Sequence, residues 1–464
     1  MTIGSTGSGE VSLARALARA ALAVDPGRFD AEVIAKAKIC LLDFLSCAFE
    51  ARNHPWSRQA IGIAREVGDG ATVIGTRTLA SPGDAAFANA TMGHGLVRED
   101  MHAASICHHG VVIWPTLLAL SERAPLSGAK FLAAAIIGYE TGAQIGRALF
   151  TADLARLYRP TGLVAPLGAA LAGSYALGVS EDAATSAMAI AANTSSGLNE
   201  WPRAGGSEMY FHPGFAARNA IAAIELAETG ARASETILEG EAGLFAAFRR
   251  QAAPTDIRLF AGAAPEIMAV YNKPAPACNF AQTAAQTALR VARELGTSED
   301  IATVSIRVPE AAARYPGCDS KGPFYNALQA KMSIPFSVAA VLARGTLEEE
   351  NYADVGDPRI LRLVERTDLQ SAPDLTAAFP ANQGAEVLVG LRDGKTVHQR
   401  LDNVVAATPE EIRARFRQAA SSVIGDRARD LEDLVDNCPS LPDSRVIAAR
   451  CRLEPIEQRL RPAS

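Results

Sequence analysis

The side chains best suited to proton chemistry are concentrated in one short stretch of the chain, residues 89–120. Four of the seven histidines and three charged residues lie in it: His94, His102, His108, His109, Arg98, Glu99 and Asp100. Apolar helical patterns flank this stretch, so the polar segment is either a solvated loop or a site. Burying imidazoles and carboxylates costs free energy unless each group finds a partner. We therefore predict a site whose groups act as general acids and bases.

Two other interpretations of the histidine cluster stay open from the residues alone. His102, His108 and Asp100 offer two imidazoles and a carboxylate, a set that suits Zn or Fe(II). Nothing in their spacing selects a coordination geometry, and we expect no metal. The cluster could also be structural, with its rings hydrogen-bonded to the backbone.

Two basic residues elsewhere in the chain, Lys273 and Arg159, occupy positions from which they could bind an anion. Lys273 lies in the segment YNKPAP, where prolines stiffen the backbone at a predicted junction between domains. Clefts between domains are common ligand sites. Arg159 precedes Pro160 at a predicted helix start, a position that suits anion capture. The alternatives are a lysine in an exposed linker and an ordinary surface arginine.

The charge and the missing motifs argue against several classes of protein. The net charge is −6 over 464 residues, and no run of Lys and Arg is long enough to bind nucleic acid. Gly394-Lys395-Thr396 imitates a phosphate loop, but Val389 stands where that loop needs a glycine. Neither G-x-S-x-G nor H-E-x-x-H occurs. Nucleotide-binding proteins, serine hydrolases and zinc proteases are therefore not supported.

Cysteine usage and hydropathy predict a cytoplasmic protein that does not enter a membrane. The seven cysteines are scattered, odd in number and without a CxxC pair, which is typical of reduced thiols. No signal peptide is visible, and residues 1–10 are predicted to form a flexible tail. Residues 161–180 carry no charge, but their Gly, Ala and Pro166 favour a close-packed internal helix over a membrane span.

The elements that must position these groups are mostly helices. Residues 33–47 carry apolar side chains at helical spacing on a very wide face, which predicts a helix buried almost all round. Ser81-Pro82 is a helix start, and residues 71–75 (ATVIG) could form an isolated strand. Further helical patterns occur at about 110–123, 127–148, 163–178, 181–195 and 213–229.

The pattern changes near residue 270. Residues 303–308 alternate as a half-buried strand, residues 326–344 predict a helix, and two apolar runs flank the hairpin signal Asp393-Gly394. Helical patterns return after a capping box at 408–411. We therefore predict a mainly α protein. Residues 1–268 and 404–464 form a large all-helical domain, and residues 269–403 form a smaller α+β domain.

In several ordered pieces the chain resembles the MmgE/PrpD family, which includes 2-methylcitrate dehydratase, cis-aconitate decarboxylase and iminodisuccinate epimerase. The matching pieces are residues 71–75, 81–94, 108–122, 159–162, 212–214, 273–276 and 330–336. The resemblance implies an all-helical domain and an α+β lid, with an active cleft between them for di- or tricarboxylic acids. It also implies a homodimer, and neither a metal nor an iron–sulfur cofactor.

The resemblance carries over to the site only in part. His108 matches a family histidine and Lys273 a family lysine, and Tyr315 falls near a tyrosine of the decarboxylase-like members. Three positions differ in type, with Arg159 and Cys278 in place of histidines and Met209 in place of a lysine. The family's acidic run reads VRED here, so its first aspartate is lost, Arg98 is gained, and Asp100 is kept. Arginine holds its proton at any working pH, so Arg159 can bind a carboxylate but cannot accept a proton.

These residues predict proton chemistry at a carbon next to a carboxylate or carbonyl, without a cofactor. His108 or Lys273 would be the base, and Tyr315 or His102 an auxiliary acid. The remaining candidates would contact a small carboxylic acid: Arg159, Asp100, Arg98, His109, Met209 and Cys278. A lyase, either a dehydratase or a decarboxylase, is the first hypothesis. An epimerase, which needs no acid for a leaving group, and a non-catalytic ligand-binding protein are the alternatives.

Overall fold

The computed structural model describes residues 11–249, 254, 256–295, 298 and 300–454, so the predicted tail at 1–10 lies outside it. The chain is mainly helical, as predicted. Capping residues visible in the sequence start several helices. Ser81 accepts a hydrogen bond from the backbone N–H of Asp84, with Pro82 at the first helical position. Thr408 and Glu411 form the predicted capping box.

The helices are, in chain order, α1 (Leu13–Leu22), α2 (Ala31–Ala51), α3 (Pro55–Ile63), α4 (Pro82–His94), α5 (Gly110–Arg123), α6 (Gly128–Leu149), α7 (Ala152–Leu157), α8 (Pro160–Leu177), α9 (Glu181–Asn193), α10 (Trp201–Ala204), α11 (His212–Glu228), α12 (Leu244–Arg249), α13 (Gln282–Leu295), α14 (Glu310–Ala313), α15 (Ala327–Met332), α16 (Ile334–Arg344), α17 (Pro358–Glu365), α18 (Pro373–Ala378), α19 (Pro409–Ile424), α20 (Arg427–Asp436) and α21 (Arg445–Arg450). The strands are β1 (Glu66–Thr72), β2 (Leu79–Ala80), β3 (Met101–His102), β4 (Val270–Tyr271), β5 (Ile301–Val308), β6 (Thr367–Ser371), β7 (Ala385–Leu391) and β8 (Thr396–Leu401).

The helical part packs around α6 and α8, whose backbones approach closely through glycines. A Cβ atom at Gly168 would lie 2.4 Å from the carbonyl oxygen of Gly138, so the α6–α8 contact depends on the missing side chain. The segment 161–180 that lacked charge is therefore a close-packed helix, because α8 is buried over almost its whole length. In the described part of the chain, no helix is long and apolar enough to cross a membrane.

The smaller part is built on a sheet with the strand order β6-β5-β7-β8. β5 runs parallel to β6 and antiparallel to β7, and β7 and β8 form the predicted hairpin. Gly394 supplies the positive φ of +86° that this turn requires. Alternation places Val304, Ile306 and Val308 of β5 in the core.

Most of the buried apolar residues belong to one of two hydrophobic cores, and the chain passes from one core to the other at two places. The first core includes residues up to Val270 and resumes at Ala407, and the second takes most of its members from 277 to 389. This supports the domain boundaries that we propose at 268 and 404. The second core also holds Val97, Trp201, Met209 and Tyr210 from the helical part. The two domains are therefore packed together at the segments that carry the candidate site.

Two elements differ from the sequence-based prediction. The helix predicted for 326–344 is two helices, α15 and α16, separated at Ser333. Pro335 has no N–H and restricts the preceding backbone, and the Ser333 hydroxyl caps α16 by accepting from the N–H of Phe336. Only the first two residues of the strand predicted at 71–75 are extended in a sheet: they end β1, which begins at Glu66 and pairs with β2, so the strand is not isolated.

Candidate active site

Two helix ends and one short strand pair bring the polar stretch to the junction between the domains. Helix α4 ends at His94, and α5 begins at Gly110. Between them, β3 pairs antiparallel with β4, with Met101 opposite Tyr271. This pairing ties the histidine-rich segment to the linker that carries Lys273. The carbonyls of Lys273 and Pro274 accept hydrogen bonds from Arg415, which hold the linker in place.

Glu99 is the centre of a buried hydrogen-bonded cluster. Its Oε1 contacts Nδ1 of His94 and lies 3.2 Å from Nδ1 of His108. His108 Nδ1 also lies 2.8 Å from the carbonyl oxygen of Asp100. A carbonyl can only accept, so Nδ1 of His108 carries the proton and Nε2 holds the free lone pair. We call the group His94, Glu99, His108, Arg159 and Lys273 the Glu99 cluster.

The surroundings of this cluster shift the pKa values of Glu99, His94 and His108 in the same direction, below their usual ranges. Burial raises the pKa of Glu99, but attraction to His94, His108 and Lys273 outweighs burial and holds the pKa below its usual range. Burial lowers the pKa of His94, against the attraction of Glu99. Burial also lowers the pKa of His108 well below its usual value. A neutral imidazole can accept a proton, as a general base must.

Arg159 closes the cluster on the side of His94. It is the residue before α8, and its Nη2 lies 2.8 Å from Nε2 of His94, which accepts the hydrogen bond. Its guanidinium lies 6.0 Å from the ring centroid of Trp201, and its Nε has no partner among the described residues. Met209 contacts the cluster, with its sulfur 2.8 Å from Nε2 of His94. Arg159 therefore has donors left for an anion.

Lys273 is fully buried, and its amine makes no hydrogen bond to any residue that the structure describes. Burial lowers the pKa of Lys273, while the charge of Glu99 opposes the shift. A buried amine without a partner is costly, which is why such a group indicates a function. A substrate carboxylate or enolate would provide the missing partner.

Cys278 and Tyr315 lie on the lid side of the same site. The thiol of Cys278 is 3.8 Å from that of Cys318, and this contact lowers the pKa of Cys278 to about 7, assisted by the charges of Lys273 and Arg159. The hydroxyl of Tyr315 accepts a hydrogen bond of 3.1 Å from the amide of Asn199, and burial raises the pKa of Tyr315.

His102 and His109 are held in a second network, separate from the Glu99 cluster in their hydrogen bonds. Nε2 of His102 lies 2.9 Å from Glu266, and the hydroxyl of Ser105 bridges His102 Nδ1 and His109 Nε2 at 2.8 and 3.0 Å. Arg147 pairs with Glu266 from the other side. The structure therefore does not support His102 as the auxiliary acid, nor His109 as a substrate ligand, because their ring nitrogens are already engaged.

Arg98 and Asp100 also have partners outside the predicted role of binding substrate. Arg98 forms an ion pair with Glu50 at 2.5 Å. Asp100 accepts a hydrogen bond from the hydroxyl of Tyr139, and burial raises the pKa of Asp100 to about 7. The backbone carbonyl of Asp100, and not its side chain, is what orients His108. These contacts indicate supporting roles for both side chains.

Two members of the Glu99 cluster were not selected from the sequence as site residues. His94 and Glu99 were visible only as members of the dense stretch 89–120, beside residues of the same types. His94 ends α4, and Glu99 follows five residues later, a spacing that does not predict contact outside a regular helix. The turn between them, with Val97 at a φ of +58°, brings them together.

The fold agrees with the comparisons with known proteins. Residues 15–256 match the MmgE/PrpD N-terminal domain, and residues 275–439 match the MmgE/PrpD C-terminal domain. The chain belongs to the MmgE/PrpD family.

Relatives with assigned activities are similar to this chain over most of its length. A cis-aconitate decarboxylase-like protein of Aspergillus oryzae is 25% identical over 88% of this chain and 91% of its own. Human cis-aconitate decarboxylase is 26% identical over 94% of both chains. The 2-methylcitrate dehydratase of Cupriavidus necator is 26% identical over 80% of both. Decarboxylases and dehydratases are lyases, so the prediction of a lyase of this family is confirmed.

Proposed function

We propose that the enzyme eliminates water or carbon dioxide from a small carboxylic acid, through proton transfer at a carbon next to a carboxylate or carbonyl. The observation that carries the proposal is the buried amine of Lys273 in the Glu99 cluster, which has no hydrogen-bond partner among the described residues. The relatives named as decarboxylases and dehydratases support the same class of substrate.

We assign the role of base to His108. Hydrogen bonding to the Asp100 carbonyl fixes the proton on Nδ1, which leaves the lone pair of Nε2 for the substrate. Glu99 stabilises the imidazolium that forms when His108 takes a proton, since it lies 3.2 Å from the ring. A general base placed in this way contributes about a hundred- to ten-thousand-fold in rate.

Arg159 and Lys273 bind and stabilise the anion. Arg159 is cationic at any working pH and binds the substrate carboxylate. Lys273, as an ammonium, stabilises the enolate-like charge that develops and then returns a proton to carbon or to the leaving group. Tyr315 and Cys278 lie at the lid side of the same space, where either is a second proton donor.

Independence from a cofactor and assembly as a homodimer remain predictions that come from the family resemblance. His94 and His108 each direct one ring nitrogen to Glu99. Among the residues described, no group of three or more His, Cys, Asp and Glu side chains is placed to hold a metal ion. Sedimentation velocity of the purified protein measures the oligomeric state directly.

The reaction is tested by incubating the enzyme with cis-aconitate, 2-methylcitrate and smaller mono- and dicarboxylic acids in deuterated water. Proton and carbon NMR should show loss of carbon dioxide or water from at least one acid. Deuterium exchange without elimination would indicate the epimerase instead. No exchange and no elimination with any acid would contradict the proposal in favour of a ligand-binding protein.

The role of His108 is tested with the variant His108→Asn, which keeps a hydrogen bond donor but removes the base. We expect turnover to fall by about a hundred- to ten-thousand-fold. The matched control is His398→Asn, since His398 is a half-exposed histidine on β8 of the lid. Equal turnover in the two variants would remove His108 from the mechanism.

A further inference from the structure

Cys278 and Cys318 face each other as a pair of buried free thiols. Their sulfur atoms lie 3.8 Å apart, which is the contact of two unbonded thiols that share a hydrogen bond. A disulfide bond is about 2.05 Å long, so the two sulfurs must approach each other by about 1.8 Å to form one. A small rotation of the two side chains can supply such a movement.

Both cysteines are held in place by the junction between α15 and α16. The N–H of Cys278 donates to the carbonyl of Lys331 at 2.8 Å, and the carbonyl of Cys318 accepts from the N–H of Ile334 at 2.9 Å. Gly317, with a φ of +82°, turns the chain immediately before Cys318. The two thiols therefore meet because one short segment of the lid holds both backbones.

The two thiols differ in exposure and in their charged surroundings. Cys278 keeps 5% of its surface exposed, and Cys318 is fully buried. The contact with Cys318, assisted by the charges of Lys273 and Arg159, lowers the pKa of Cys278 to about 7, whereas burial raises the pKa of Cys318 well above its usual value. Oxidants react with the thiolate form, so Cys278 is the thiol that an oxidant attacks first.

The pair lies beside two groups of the candidate active site. Cys278 follows Lys273 by five residues, and the N–H of Cys318 donates to the carbonyl of Tyr315 at 3.0 Å. A bond between the two sulfurs would join the segment of Lys273 to the turn of Tyr315. Tyr315 and Phe280 also line a cleft of about 440 Å³ between the domains, through which a small oxidant can come close to the pair.

We propose that Cys278 and Cys318 are a site of reversible oxidation, at which hydrogen peroxide converts the two thiols to a disulfide and stops turnover. The thiolate of Cys278 attacks one peroxide oxygen and breaks the O–O bond, which leaves a sulfenic acid and a hydroxide that takes up a proton to become water. The thiol of Cys318 then attacks the sulfur of Cys278, and the sulfenic oxygen leaves as a second water. The two cysteines lose two hydrogens, and the peroxide is reduced to two waters.

The disulfide would affect turnover in two ways. It removes the thiol proton of Cys278, one of the two candidates for the second proton donor, and it draws Cys278 towards Cys318. This effect on turnover rests on the proposed function, whereas formation of the bond does not. A dithiol reductant reverses the reaction by thiol–disulfide exchange.

The test treats the reduced full-length protein with hydrogen peroxide, removes the excess with catalase and counts free thiols by alkylation in denaturant. The count should fall from seven to five, and a digest should contain the peptide of Cys278 joined to that of Cys318. Turnover of the acid identified by NMR should fall about a hundredfold, as when one acid or base is lost, and return with dithiothreitol. Seven remaining thiols, or full turnover with the bond in place, overturns the proposal.

Matched variants identify the second thiol. Cys318→Ser keeps a hydrogen-bonding group but cannot form the disulfide, so peroxide should oxidise Cys278 beyond the sulfenic acid, and dithiothreitol should restore less turnover than in the wild type. Cys438→Ser is the control, since burial raises the pKa of Cys438 to about 12, and this variant should behave as the wild type. Equal recovery in the two variants overturns the proposal.

The thiol count keeps this proposal separate from the proposed function. If untreated enzyme turns over no acid, the proposed function fails, but the count and the joined peptides still show whether the bond forms. If Cys318→Ser does not fold, peptide mapping of the wild type alone decides between the pair of Cys278 with Cys318 and any other pairing, and another pairing overturns the proposal.

Discussion

Glu99 contacts two imidazoles at once, and this arrangement determines what each ring can do. One ring, His94, donates to Glu99 and accepts from Arg159, so both of its nitrogens are used. The other ring, His108, shares its Nδ1 proton between Glu99 and a backbone carbonyl and keeps Nε2 free. The two histidines thus have different roles: His94 positions Arg159 relative to Glu99, and His108 can accept a proton.

Replacing Glu99 by glutamine should lower kcat by about a hundredfold, the lower end of what a positioned acid or base contributes. The amide has no charge to stabilise the imidazolium of His108. Glu266→Gln is the matched control, because Glu266 also binds a histidine but belongs to the network of His102 and Ser105. Steady-state kinetics should show little change for Glu266→Gln, and a larger loss there than for Glu99→Gln would reverse the assignment of the two networks.

Asp100 should make stability depend on pH. Its pKa is raised to about 7 by burial, so between its unfolded value near 4 and pH 7 the folded state binds one more proton than the unfolded state. The stability contributed by this group is present below the unfolded pKa and is lost as pH rises to 7. Asp100→Asn removes the titration, so its free energy of unfolding relative to wild type should rise by about 1.4 kcal/mol per pH unit from pH 5 to 7 and then level off. Urea unfolding at several pH values measures this, and a constant difference would contradict the raised pKa.

At the scale of the elements, close contact between α6 and α8 keeps the start of α8 in place, and Arg159 directly precedes that start. Gly142 of α6 likewise leaves room for the ring of His109, since a Cβ there would lie 2.6 Å from Nδ1. These glycines therefore connect helix packing with the position of the site residues.

Gly168→Ala should destabilise the protein by about 1–3 kcal/mol, the usual cost of overpacking, because the new Cβ would meet the Gly138 carbonyl. Gly62→Ala is the control. Gly62 lies within α3, and a Cβ there meets nothing within 4 Å, so the variant should gain about 0.5–1 kcal/mol from its better helix propensity. Thermal unfolding compares the two, and equal midpoints would show that the close packing of α6 on α8 is not needed.

At the scale of the whole molecule, Lys331 connects the lid by a hydrogen bond to the segment that carries the site. It is fully buried on α15, and its ammonium donates to the carbonyl of Leu96 at 3.1 Å and to Glu349 at 2.8 Å. Leu96 lies between His94 and Glu99, so this contact couples the position of the lid to the turn that shapes the Glu99 cluster.

Lys331→Met should reduce stability by about 3–5 kcal/mol, because it leaves the Glu349 carboxylate without its partner in a mostly buried place. The double variant Lys331→Met with Glu349→Leu should recover part of this loss, since neither charge then lacks a partner. Chemical unfolding of the single and double variants measures both effects. If the loss of stability in the double variant equals the sum of the losses measured for Lys331→Met and for Glu349→Leu alone, the two side chains do not act as a pair.

The amino-acid sequence by itself determined the mainly α class, the two-part organisation and the individual helices and hairpin, because these follow from local periodicity, caps and turn residues. Helix α5 and the hairpin of β7 and β8 were predicted nearly to the residue. The sequence also located the polar stretch, since histidines and carboxylates between two apolar helices are unusual wherever they occur.

Only the tertiary structure decided which of these polar groups meet. His94, His102, His108 and His109 are of one type and close in sequence, so no local rule separates them into two networks. Glu99 contacts His94 and His108. Glu266, more than 160 residues away from His102 along the chain, contacts His102, which Ser105 joins to His109. Such partners are joined by long-range packing of helices and by the pairing of β3 with β4, and packing over that separation is not encoded in spacing.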